Sequence, residues 1–99
     1  MLPALLLATA LSLRDIVVVN QSPEAIFTVR VGHVADGTWS DDLLGFARVI
    51  DVSRGVAVRF PVDLSVCNYD VQATLRSGTV VVVPSVNLCA ADHLDVKPN

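Results

Sequence analysis

Hydrophobic and polar positions in this chain alternate with a period of two far more often than they recur with the period of a helix. From Ala25 to Val31, Phe27, Val29 and Val31 point one way with Ala25, while Thr28 and Arg30 point the other. That is the alternation of a half-buried strand. Val56, Val58 and Phe60 likewise share a face opposite Ala57 and Arg59. Tyr69, Val71, Ala73 and Leu75 line one face of a further segment, and Asp70, Gln72, Thr74 and Arg76 the other. Ile16-Val-Val-Val19 is instead a continuous apolar run, which predicts a strand covered on both faces. Arg48 to Val52 reads as another short strand. No window of eleven or more residues carries a helical i, i+3, i+4, i+7 pattern between breakers.

Turn residues punctuate these runs. Asn20-Gln-Ser-Pro-Glu24 supplies one turn, with Pro23 presetting φ, and Ser53-Arg-Gly55 another. Ser77-Gly78 predicts a two-residue hairpin turn, after which Thr79 to Val83 returns. Pro84 then interrupts the ladder, the mark of a bulge or an edge. The longest irregular piece runs from Gly32 to Phe46; within it, Ser40 is expected to cap one helical turn over Asp41 to Leu44, stopped by Gly45. The polar tail, residues 92–99, is expected to fray. Six short strands with turn signals about every ten residues predict an all-β domain over residues 14–91. Its expected form is a small antiparallel β-sandwich or partly open barrel.

Length and charge narrow the picture. At 99 residues the chain holds one domain. Residues 1–13 are mostly apolar and carry no charge, and Ala8-Thr9-Ala10 fits a small-x-small cleavage pattern, so this segment resembles the end of a signal peptide. It lacks a basic leading region and is shorter than usual, as it would be if the true start lay upstream. A buried N-terminal strand or helix is the alternative. The run is too short for a transmembrane helix of about 20 residues. The net charge of −3, with Lys97 the only lysine, leaves no basic stripe for phosphates. That absence argues against nucleic-acid binding and against electrostatic docking on an anionic membrane.

Two cysteines, Cys67 and Cys89, stand at the ends of the expected hairpin's two arms. Pairing about Ser77-Gly78 sets Cys67 opposite Leu88, and one extra residue at a Pro84 bulge brings it opposite Cys89. Their Cα atoms would then lie about 5–6 Å apart, within disulfide range. Such a bond closes a loop of 23 residues counting both cysteines. By the chain-entropy model that contributes roughly 3 kcal/mol. A structural zinc site would want four ligands at closer spacing, and a redox pair a C-x-x-C. Two buried free thiols are the remaining alternative.

The ordered set Ile16-Val-Val-Val-Asn20, Ile26-Phe27, Trp39-Ser-Asp-Asp-Leu-Leu-Gly45, Val56-Ala-Val-Arg-Phe60, Cys67-Asn-Tyr-Asp-Val71, Ser77-Gly78 and Asn87-Leu-Cys89 resembles a family of small exported bacterial proteins. That family is best represented among α-proteobacteria. The resemblance spans roughly residues 15–90 and rests on the order of short pieces. Two pieces depart from it: Asp51-Val-Ser-Arg-Gly55 replaces a Pro-Gly turn, and the hairpin tip Leu75-Arg-Ser-Gly78 replaces an acidic one. The resemblance implies export, to the periplasm or beyond, and a β-fold. It supplies no catalytic residues.

Candidate chemistry is sparse. Asp36, Asp41 and Asp42 surround Trp39 in one loop, and such oxygen-rich loops can hold Ca²⁺. The EF-hand spacing is absent, and the simpler reading has both Asp41 and Asp42 favouring a short helix dipole while Trp39 plugs an open end of the sandwich. His33 with Asp36, and His93 between Asp92 and Asp95, can be drawn as acid–base pairs for a small hydrolase, but no nucleophile motif accompanies them. No cofactor motif is read. Asn20-Gln-Ser22 matches an N-glycosylation triplet by chance. Tyr69 is expected to pack its ring in the core while its hydroxyl finds a partner, and Asp70 to meet a cross-strand arginine. Thr79 to Val83, uncharged and β-prone, reads as a central strand, with an edge that recruits a partner by strand addition as the alternative. The expected function is a non-enzymatic binding or structural module of the cell envelope.

Overall fold

The alternating segments become strands because only one face of each can be buried, and two sheets supply that cover for each other. The computed structural model describes residues 11–45 and 48–98, so the signal-like segment falls almost wholly outside the described residues. Seven strands are found among the described residues: β1 (Ser12–Asn20), β2 (Ile26–His33), β3 (Thr38–Trp39), β4 (Gly55–Val62), β5 (Asn68–Leu75), β6 (Val80–Asn87) and β7 (His93–Val96). They form a three-stranded sheet in the order β4-β1-β7 and a four-stranded sheet in the order β3-β2-β5-β6. The protein is an all-β sandwich and not a closed barrel.

Ile16 and Val18 of β1, with Val58 and Phe60 of β4, are fully buried against Val29 of β2 and Val71 of β5. Leu94 and Val96 complete the same layer from β7. The run Ile16 to Val19 is not covered on both faces. Val17 stays 39% exposed, because a two-layer sandwich offers β1 a core on one side and solvent on the other.

Three local expectations change. The tail does not simply fray: His93–Val96 pairs in parallel with Val17–Asn20, so the sandwich is not wholly antiparallel. Its Leu94 and Val96 give it the two buried anchors that four residues can carry. Arg48 to Val52 is not a strand, and touches the sheet through one antiparallel bridge, Ile26 with Ile50. Residues 41–44 form no helical turn; a single 3-10 turn, Val34–Asp36, lies earlier in the loop.

The β5–β6 hairpin is the element that positions the cysteines. Its tip is a three-residue loop, not the expected two-residue turn. Leu75 N–H donates to the Thr79 carbonyl at 2.8 Å, and Gly78 N–H donates to the Leu75 carbonyl at 2.9 Å. Gly78 takes φ 94°, the left-handed position that a three-residue hairpin loop reserves for glycine. The expected bulge is present: the register shifts between Tyr69 paired with Val86 and Val71 paired with Val83. That places an extra residue around Pro84 and Ser85, and Ser85 itself has φ 54°.

Candidate functional site

The two register changes offset each other by one residue. Leu88 N–H therefore donates to the Cys67 carbonyl at 2.9 Å, leaving Cys89 diagonal to Cys67 and not directly opposite. The diagonal still suffices: the Cα atoms are 5.2 Å apart and the Cys67–Cys89 disulfide is formed. The clasp thus closes the open end of the hairpin, far from its tip.

Immediately beside it, the segment Cys67-Asn-Tyr-Asp70 spends its polar groups on architecture. Tyr69 packs against the core, and its hydroxyl accepts the Asp63 N–H at 2.9 Å. Its ring also stacks on His33, with centroids 5.0 Å apart. Asp70 meets no arginine. Its carboxylate accepts the Val34 N–H at 2.7 Å and the Ser85 N–H at 3.0 Å. These two backbone donors hold the Asp70 carboxyl below the usual carboxylate range, Val34 contributing most, with the nearby His33 charge adding a smaller effect in the same direction. Ser85 is the residue displaced from the ladder by the bulge, so Asp70 answers the donor that the bulge sets free.

The acidic loop is likewise absorbed into the sheet. Asp42 Oδ1 accepts the N–H groups of Val29 and Leu44, both at 3.0 Å. Ser40 Oγ caps no helix; it accepts the Val31 N–H at 3.0 Å. Asp36 sits exposed in the 3-10 turn and Asp41 is exposed after Ser40. No group of three or more His, Cys, Asp or Glu side chains gathers to hold a metal ion among the described residues. Trp39 lies half-buried on β3 opposite Gly32. A Cβ at Gly32 would collide with the Thr38 carbonyl and crowd the Trp39 ring.

The histidines do not form acid–base pairs with their neighbours in sequence. His33 is committed to the Tyr69 stack, and His93 is exposed on β7. Asn20, fully buried, is the polar hub that sequence reasoning missed. Its Nδ2 donates to the Glu24 and Ile50 carbonyls at 2.8 and 2.9 Å, and its Oδ1 accepts from Ser22 N–H and Oγ. The glycosylation match is therefore closed off inside the folded domain. An Asn at a strand end followed two residues later by Ser was the available signal, since such pairs build Asx turns.

An open cleft of about 340 Å³ lies beside β4, lined by Asp15, Leu43, Leu44, Gly45, Arg48, Ala57 and Arg59. Arg59 Nε there meets Asp15 at 3.0 Å, and Arg48 donates to the Ala57 carbonyl at 3.1 Å. The remaining feature with interaction chemistry is β6. It ends the four-stranded sheet, so Thr79 to Val83 leads along an edge and not through a central strand. No helix among the described residues is long and apolar enough to cross a membrane. Comparison with protein-family models, with curated proteins and with solved structures finds no match to this chain.

Proposed function

We propose that this protein is an exported, non-enzymatic binding or structural module of the bacterial cell envelope. The observation that carries the reading is the Cys67–Cys89 bond, since disulfides form and persist in oxidising compartments such as the periplasm. The signal-like residues 1–13 and the resemblance to small exported bacterial proteins agree with it. A non-enzymatic role is favoured by how the polar side chains are spent: Asn20, Ser40, Asp42, Tyr69 and Asp70 all bond to backbone groups that the fold would otherwise leave unanswered.

The test is intact mass in separated periplasmic and cytoplasmic fractions, with and without reduction before thiol alkylation. A periplasmic species that has lost its leading apolar residues, and that is alkylated only after reduction, is the expected result. A full-length cytoplasmic protein with two free thiols would remove both export and the envelope role.

A further inference from the structure

We propose that β6 is a self-association edge: two copies of this chain pair their β6 strands antiparallel about a two-fold axis at Val81, joining two four-stranded sheets into one of eight.

The other edges are occupied, charged or short. β3 is two residues long, and β7 is four and carries His93 and Asp95. β4 bears Arg59 and Pro61, and its Ala57 carbonyl is taken by Arg48. β6 differs in each respect. From Val80 to Val83 it has no charge, and Val80 is 52% exposed. Such an edge is a template for another strand.

Register then selects the partner. Leu75 and Thr79 form a hydrogen-bonded pair, and antiparallel pairing alternates. With Ala73 opposite Val81 and Val71 opposite Val83, the N–H and carbonyl groups of Val81 and Val83 turn toward β5. Those of Val80 and Val82 therefore turn outward, and no strand among the described residues pairs with that side. An antiparallel copy centred on Val81 sets Val80 opposite Val82 of the second copy, and Val82 opposite its Val80. Every outward N–H and carbonyl at these positions is then answered, in four hydrogen bonds. Registers centred elsewhere leave one of the two without its match. The next outward position is Pro84, which has no N–H, so the ladder ends there. A neutral edge also suits a second neutral edge: the two-fold brings no like charges together between Val80 and Val83.

The test is sedimentation of the oxidised full chain as a function of concentration. A reversible monomer–dimer equilibrium is expected. Val82→Pro removes the outward N–H from each copy while leaving the β5 ladder intact, and should weaken the dimer about thirty-fold, at two hydrogen bonds of ordinary net strength. Val80→Lys should weaken it as well. Retention of the far-UV circular dichroism spectrum and of the Cys67–Cys89 bond separates loss of pairing from loss of fold. Val81→Cys reads the register directly: a residue facing its own copy across the axis should cross-link under oxidation. A chain that stays monomeric into the millimolar range overturns the proposal, and so does a dimer indifferent to Val82→Pro. A monomer whose β6 edge instead captures an unrelated uncharged extended peptide overturns it too.

Discussion

The four-stranded sheet has two long strands near its margins, and they are finished in opposite ways. Along β2, the loop that follows β3 runs beside the strand and answers it group by group. Ser40 N–H and Leu43 N–H donate to the Val31 and Val29 carbonyls, while Ser40 Oγ and Asp42 Oδ1 accept the Val31 and Val29 N–H groups. Along β6 nothing comparable is present among the described residues. Side chains can therefore substitute for a strand: two short acceptors spaced two residues apart protect β2 without extending the sheet. Where the sequence offers valines instead, the backbone donors and acceptors stay open.

The contrast can be broken from either side. β6 is held by β5 on one flank only, so the covalent clasp should matter most there. Replacing both Cys67 and Cys89 by Ala should lower unfolding free energy by about 3 kcal/mol, read as a reduced denaturant midpoint with a steeper slope, because the unlinked unfolded chain exposes more surface. On the protected margin, Asp42→Ala leaves the Val29 and Leu44 N–H groups without their acceptor. A loss of roughly 1–3 kcal/mol is expected, together with faster amide exchange at those two residues and unchanged exchange along β5. If Val29 stays protected in that variant, the loop covers β2 by shape and not through this carboxylate.

Acid provides a gentler probe. Asp70 has a folded pKa below its unfolded value, so its stabilising contribution is complete above about pH 4, near the unfolded carboxylate value. It is lost as pH falls through the lower, folded value. Melting temperature should therefore decline on acidification below about pH 4, and Asp70→Asn should flatten part of that decline. The rest belongs to other lowered carboxylates such as Asp15 and Asp63. An unchanged slope in Asp70→Asn would detach this carboxylate from the bulge it contacts.

The same contrast explains what the sequence could reveal. Clean alternation exposed β4 and β5, because one buried face per strand is a property of the residues themselves. In β2 it holds only from Val29 to Val31, since a register shift between Ile26 and Thr28 buries Ile26 and turns Phe27, expected on the inner face, 43% exposed to solvent. The Pro84 bulge was legible because proline cannot donate to a ladder. What escaped were decisions made by partners distant in sequence. β7 has only Leu94 and Val96 to announce it, and becomes a strand because β1 supplies an unfilled margin. Ser40 and Asp42 look like helix-starting residues, yet β2 offers them donors at strand spacing, and tertiary bonds outweigh a one-turn propensity. Thr79 to Val83 reads as central on hydrophobicity alone; only the strand order shows it to be marginal. At the cysteines, the disulfide was foreseen with the wrong turn: glycine at φ 94° closed a three-residue tip, and the diagonal absorbed the difference.

The parallel pairing of β1 with β7 sets a timetable. β1 is the first of the seven strands to be synthesised, and it occupies the middle of its sheet, between β4 and β7. One of its two neighbours, β7, is the last of those seven to be made. Contacts so widely separated in the chain form slowly and late, so during synthesis the three-stranded sheet stays unfinished until residues 93–96 arrive. Until then β1 presents a bare flank to solvent, and the places of Leu94 and Val96 in the core stand empty.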